Sequence, residues 1–243
     1  LMSQESSIRI NKYLSEVGYC SRRAADGLLE QKRITINGKI PELGTQVFPQ
    51  DEVRVDGQLV GKPKQQHVYI AFNKPVGIVS TTDTLGEKDN IIDFIGHPER
   101  IFPIGRLDKD SEGLILLTSE GDLVNKILRS KNNHEKEYVV TVDKPLHPSF
   151  AQRMSAGIPI LDTVTDPCTV VAINKFKFRI ILKQGLNRQI RRMCAHLGYQ
   201  VTQLKRIRIM HIQLDLAVGK WRDLSEKELT QLNLLIQDSS KTT

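Results

Sequence analysis

Apolar positions fall into two periods along the chain. Ile10, Leu14 and Val17 recur at helical spacing until Gly18 interrupts them, which predicts a short first helix. Ser21 supplies a cap for a second helix beginning RRAADGLLEQ. The repeat then shortens to two. Ile34 and Ile36, then Val53 and Val55, alternate with polar neighbours, and Asn37-Gly38 and Asp56-Gly57 offer tight turns. A helix pair packed on a small strand unit is therefore expected over residues 8–61. The polar, proline-containing GKPKQQH (61–67) reads as a join, with the linker at 62–67.

From residue 68 to 240 the two periods interleave. VYIAF, LILLTS, EYVVTV and FKFRIIL read as strands; DLVNKIL, SFAQRMSAG, NRQIRRMCAHLG and SEKELTQLNLLIQ read as helices, the last opened by a Ser225 to Glu228 capping box. The fold class is α+β, in two domains. No Gly-x-Gly-x-x-Gly follows a strand and no Gly-x-x-x-x-Gly-Lys-Ser/Thr is present, so dinucleotide binding and ATP-driven chemistry lack their phosphate cradles.

Composition narrows the class. With 243 residues, 39% of them hydrophobic, the chain can build a real core, and no stretch approaches the ~18 apolar residues of a membrane span. The N-terminal residues lack the layout of a signal peptide, and three scattered cysteines indicate neither a disulfide framework nor a zinc ribbon, so a cytoplasmic protein without metal is expected. Net charge is +7, and its distribution says more. Between Lys175 and Arg208 ten Lys or Arg occur with no Asp or Glu, among them Arg188, Arg191, Arg192, Lys205, Arg206 and Arg208. A solvated surface usually mixes signs, so this run reads as a wall facing phosphates. Arg22 and Arg23 point the same way. They occupy the first turn of the second helix, where the dipole disfavours positive charge by roughly 0.3–1 kcal/mol each.

The densest candidate chemistry lies in GRLDKDSEGLILLTS (105–119). Asp108, Asp110, Glu112 and Gly113 copy positions 1, 3, 5 and 6 of a calcium loop, but position 12 falls on Ser119 and an apolar run stands where further ligands should be. Asp108 is equally at home closing a turn between Gly105 and Gly113. On these residues alone, turn and chemistry both stay open. The same holds for Tyr138, a plausible core aromatic, and for the helix arginines, of which Arg191 falls on the flank beside a buried face of Ile190, Met193 and Leu197.

RINKYLSEVGYCSRRAADGLLEQKRITINGK (9–39) resembles the small RNA-binding domain first described in ribosomal small-subunit protein four. GRLDKDSEGLILLTSEGDLVNKI, with NKPVGIVST (73–81), KEYVVTV (136–142) and GLNRQIRRM (185–193) in the same order, resembles the pseudouridine synthases of the branch that acts on ribosomal RNA, most of all its members for the large subunit. The resemblance implies a catalytic domain with a central, largely antiparallel sheet flanked by helices, and isomerisation of a uridine in a stem-loop of 23S ribosomal RNA without a cofactor.

It further implies that Asp108 meets the charge that develops at the sugar when the glycosidic bond breaks, in a pocket closed to water. A carboxylate in such a pocket needs a cation to stay ionised, and Arg191 is the expected partner. Asp110 and Glu112 would oppose that state and are expected to point outward. Tyr138 is expected to stack on the base, Arg106 to hold the flipped nucleotide, and Lys74 with Pro75 to shape the pocket near the RNA. Ribosomal RNA is the expected partner, with transfer RNA as a second substrate, and the chain is expected to be monomeric. A docking protein on the same fold, or a nucleosidase or nuclease using the same carboxylate, are the competing readings.

Overall fold

The computed structural model describes residues 6–61, 66–129 and 134–239, so most of the expected linker, 62–65, lies outside the described residues. Two compact units form. One comprises the described residues up to Val68 with Pro98–Arg100 and Ser119–Gly121; the other comprises Tyr69–His97, Ile101–Thr118 and the remainder of the described chain.

In the first unit, strand β1 (Ile8–Arg9) leads into α1 (Ile10–Glu16) and α2 (Arg22–Glu30), followed by β2 (Ile34–Ile36), β3 (Gln46–Val47), β4 (Val53–Val55) and β5 (Gln58–Leu59). The Ser21 hydroxyl accepts the Ala24 N–H at 3.0 Å, capping α2 as the sequence predicts. Asn37 and Asp56 adopt positive φ ahead of Gly38 and Gly57, the conformation that tight hairpin turns demand. Ile10, Leu14, Ala25, Leu29, Ile34, Val53 and Val55 make the core of this unit, and the Tyr13 hydroxyl donates to the Gly61 carbonyl at 2.9 Å.

The second unit continues with β6 (Tyr69–Lys74), α3 (Ile91–Ile95), β7 (Phe102–Ile104), β8 (Glu112–Thr118), α4 (Gly121–Arg129), β9 (Lys136–Val142), α5 (Phe150–Ala156), the hairpin β10 (Pro159–Ile160) and β11 (Thr163–Val164), β12 (Thr169–Ala172), β13 (Lys177–Leu182), α6 (Gln189–His196), β14 (Val201–Ile209), β15 (Ile212–Gln213), β16 (Trp221–Asp223) and α7 (Glu226–Ser239). One sheet runs β12-β13-β9-β14-β8-β6-β16, with β7 added to β8 and β15 to β14. Every neighbouring pair is antiparallel except β14 with β8, so the sheet is largely antiparallel as expected. Leu114, Ile115, Leu116 and Leu117 of β8 are all buried, because this strand is covered on both faces; each contributes roughly 1.5–3 kcal/mol by leaving water. The expected capping box closes α7: Ser225 N–H donates to the Glu228 carboxylate at 2.9 Å and Glu228 N–H to the Ser225 hydroxyl at 3.1 Å.

Two cores flank the one parallel junction. Val140, Phe178, Ile180 and Leu204 pack with α5 and α6, whereas Leu114, Leu116, Ile209 and Ile212 pack with α4 and α7. Between them β14 and β8 register at only two positions, Lys205 with Glu112 and Arg206 with Gly113. Gly113 has φ +112°, and a β-carbon there would collide with the backbone nitrogen and carbonyl of Arg206.

That close approach generates a prediction. Gly113→Ala must either part the two strands or strain a positive-φ residue, and should cost about 3 kcal/mol or more. Urea unfolding followed by circular dichroism should show the loss; a wild-type midpoint would contradict it.

Candidate active site

A cavity of about 600 Å³ opens at this junction, lined by Gly105–Asp108 and Ser111 on one side, Lys136 and Tyr138 of β9 and Arg206 of β14 on its floor, and Lys183–Arg191 on the other. Its volume suits a nucleotide-sized guest. The structure thus brings together Arg106, Asp108, Tyr138, Arg188, Arg191 and Arg206, from segments far apart in sequence.

Asp108 sits in a turn whose carbonyl accepts the Ser111 N–H at 3.0 Å, so its backbone closes the turn and its side chain stays available. Both flanks are tied down by the segment 73–81. The Ser80 hydroxyl donates to the Leu107 carbonyl at 2.8 Å, while the Lys109 carbonyl accepts the Gly77 N–H at 2.7 Å. Lys74 is 0% exposed; its ammonium donates to the carbonyls of Pro75 at 2.9 Å, Ile78 at 2.8 Å and, longer, Lys109 at 3.5 Å. Burial pushes this lysine down to about 8, against the pull of Asp108, Asp110 and Glu112. Lys74 is therefore a backbone clasp behind Asp108, a correction to its expected place on the RNA surface: a cation sealed under the loop cannot meet a phosphate.

The expected ion pair between Arg191 and Asp108 is not formed. Arg191 donates to the Asp110 carbonyl at 2.9 Å and the Ser111 hydroxyl at 3.0 Å, with the Asp110 carboxylate at 3.5 Å. Arg188 takes the place beside Asp108, at 3.6 Å, and grips Asp110 through two bonds of 3.0 and 2.8 Å. The helical flank of Arg191 is as the sequence indicates, but the turn at 108–111 presents its backbone to that flank first. Asp110 is solvent-exposed as expected, yet it is the anchor of both arginines, and their charge holds its carboxyl below the usual range, the Arg188 hydrogen bonds acting most. Glu112 turns away to Gln203. Asp108 itself is 41% exposed at the side chain, so the cavity is open where a closed pocket was expected.

The basic wall is also rearranged. Residues 201–209 form the central strand β14, which charge alone did not reveal. Arg206 is 5% exposed; its Nε donates to the Leu114 carbonyl at 2.7 Å, and its guanidinium lies 6.0 Å from the Tyr138 ring centroid. A bulge between Arg206 and Arg208 turns the latter toward Glu135 and Glu137, both at 3.2 Å. Neither arginine is offered to RNA, because one fills the sheet junction and the other is neutralised. Arg192 is exposed and braced by Asn187, Lys205 is half-buried, and Arg22 and Arg23 are exposed on the first turn of α2.

Several site residues escaped the sequence reading. Ser111 and Ser80 are unremarkable as sequence, and Gln189 is buried in α6, bonding Gln184 and the Leu186 N–H to brace the far wall. Lys136 sits two residues before Tyr138, a spacing that on a strand already puts both on one face.

A family model described as RNA pseudouridylate synthase matches residues 68–196, and one described as S4 domain matches residues 8–53. The chain is 58% identical over 242 residues to the dual-specificity RNA pseudouridine synthase RluF of Escherichia coli (strain K12), covering 98% of this chain and 83% of that one. It is 32% identical over 236 residues to the ribosomal large subunit pseudouridine synthase B of Bacillus subtilis (strain 168), covering 93% and 96%. A crystal structure of a pseudouridylate synthase superposes with a TM-score of 0.67 at 29% identity, over 93% of this chain and 100% of that one.

The Asp110 anchor predicts a pH signature. A carboxyl with a depressed folded value adds stability above its unfolded value, here 3.8, and that stability is lost as pH falls through the folded value. Asp110→Asn should thus be less stable than wild type at pH 7, by no more than about 1 kcal/mol given solvent screening, and the gap should close below pH 3.8. Denaturant midpoints across the acid range measure it; a gap that persists at the lowest pH would contradict the ion-pair account.

Proposed function

The chain belongs to the RNA pseudouridylate synthase family and is an RNA pseudouridine synthase with an S4 domain; we propose that Asp108 carries its reaction, on a uridine in a stem-loop of large-subunit (23S) ribosomal RNA. The observation that carries this reading is a carboxylate, single among the described lining residues, in a nucleotide-sized cavity otherwise rich in cations. The B. subtilis relative is named for the large ribosomal subunit, which supports the ribosomal substrate. The E. coli relative is named for dual specificity, which supports a second RNA, for which transfer RNA is our candidate.

Isomerisation breaks the N1–C1′ bond, with its electron pair leaving on the uracil, and leaves C1′ electron-poor. The Asp108 carboxylate meets that deficiency, as carboxylates do in glycoside hydrolysis. The base then turns, C5 bonds to C1′, the C5 proton departs and N1 is protonated. No electron is gained or lost overall, so no redox partner enters the balance. Arg188 stands against the carboxylate, Arg191 fixes the turn that carries it, and the buried Lys74 adds charge behind. Tyr138 gives the uracil a flat face on which to turn, because stacking imposes no fixed register, and it adjoins C5 for proton removal.

Asp108 is open to water in the structure, so the flipped nucleotide itself supplies the missing wall. Flipping costs a few kcal/mol, offset by contacts from Arg106 and by phosphate contacts of the exposed Arg192 and the half-buried Lys205. Arg22 and Arg23, exposed at the start of α2, supply phosphate contacts from the S4 domain.

Asp108→Asn should lower conversion by at least about 10³-fold while RNA affinity stays within about threefold of wild type. Tritium release from RNA labelled at uridine C5 reads the first, and anisotropy with labelled RNA the second. Undiminished tritium release by the variant would end the assignment.

A further inference from the structure

The cations of the cavity differ in how much of their hydrogen-bonding capacity is already engaged. Arg188 is engaged by Asp110 and Asp108, Arg191 by Asp110 and Ser111, and Arg206 by the carbonyls of Leu114 and Arg106. Arg106, Lys136 and Lys183 also line the cavity, and among the described residues their side chains form no hydrogen bond or ion pair. Arg106 and Lys183 are exposed to solvent, which leaves Lys136 as the half-buried cation without a partner. Its sequence neighbours do not neutralise it: Glu135 and Glu137 bond Arg208, and Glu137, as the next residue on the strand, faces away from Lys136.

Position gives this unmet charge a direction. Lys136 and Tyr138 project from the same face of β9, roughly 7 Å apart along the strand. Across the sheet Lys136 lies beside Leu182 and Ile209, whereas Tyr138 lies beside Ile180 and Arg206. The ammonium reaches the opposite wall, with Nζ 3.5 Å from where a β-carbon on Gly185 would stand. It therefore spans the cavity to one side of the place where Tyr138 and Asp108 would hold the base and sugar. Burial, then the like charge of Arg206, push this lysine below its ordinary value, which is the mark of a cation whose counter-charge is missing from its surroundings. A neutral uracil carbonyl would meet little of that need, whereas an RNA strand brings a full negative charge at every nucleotide.

We propose that Lys136 is a substrate-binding residue whose ammonium takes a backbone phosphodiester next to the uridine in the cavity. The proposal rests on the reading of this cavity as the uridine site.

The test compares wild type, Lys136→Met and Lys136→Arg as full chains on large-subunit ribosomal RNA transcribed in vitro. Affinity is measured over a range of salt concentrations, and conversion under single-turnover conditions at saturating protein. Loss of one phosphate contact should flatten the slope of log Kd against log salt by about 0.7–0.9 and weaken binding about tenfold at low salt, with the gap narrowing as salt rises. The saturating conversion rate of Lys136→Met should stay within about threefold of wild type, and Lys136→Arg should regain the wild-type slope. An unchanged slope in Lys136→Met overturns the proposal. So does a collapsed saturating rate with affinity intact, which would put the lysine on the reacting base, and so does a loss that Lys136→Arg fails to restore together with a lowered unfolding midpoint. In those three cases wild-type conversion still supports the uridine site; absence of conversion by wild type would remove both.

Discussion

Everything at the candidate active site depends on how closely β8 approaches β14. Gly113 abuts the backbone of Arg206 at a φ that side chains resist, and the two strands pair over only two residues before they part. Had the pairing continued, the sheet would close and no cavity would exist. Had it been absent, the turn bearing Asp108 would have no fixed relation to Tyr138, which reaches the same place from β9. Arg206 completes the junction by spending its Nε on the Leu114 carbonyl, so a charged residue is consumed as structure at the point where reactivity needs rigidity.

Charge around the cavity is arranged in tiers. Lys74, fully buried, fastens the backbone on the protein side of Asp108. Asp110 then gathers Arg188 and Arg191, so that one exposed acid orients two basic side chains, and Arg188 is left beside the Asp108 carboxylate. Arg188 holds a left-handed conformation at the head of α6, φ +49°, which costs a non-glycine residue about 1 kcal/mol or more. The two bonds to Asp110 offset that cost and explain why a long side chain is tolerated there.

The sequence makes the peripheral devices legible because each is local. The Ser21 cap, the turns at Asn37-Gly38 and Asp56-Gly57 and the Ser225 to Glu228 box all join residues within a few positions, and each forms as its spacing predicts. The long-range arrangement is harder. Residues 201–209 look like a charged surface because Lys205, Arg206 and Arg208 dominate them, yet Leu204 and Arg206 are buried and a bulge sends Arg208 to the other face. A bulge has no signature in side-chain chemistry, so strand identity and the fate of these cations were hidden together. Likewise the helical period put Arg191 on the correct flank, but nothing in composition tells whether it meets the Asp108 side chain or the turn's own backbone. Residue type indicates that charges must be matched; only the register of distant strands decides with what.

Each wall of the cavity has braces of its own, and Arg188 and Arg191 tie the two together. On the protein side the Ser80 hydroxyl, the Gly77 N–H and the Lys74 ammonium hold main-chain carbonyls around the Asp108 turn, whereas the facing loop is held by Gln189 and Gln184 through their side-chain amides. Lys183, on the facing wall and outside the arginine clamp, is therefore free to vary without loosening the turn that carries Asp108, whereas any change at Arg188 is felt on both walls at once.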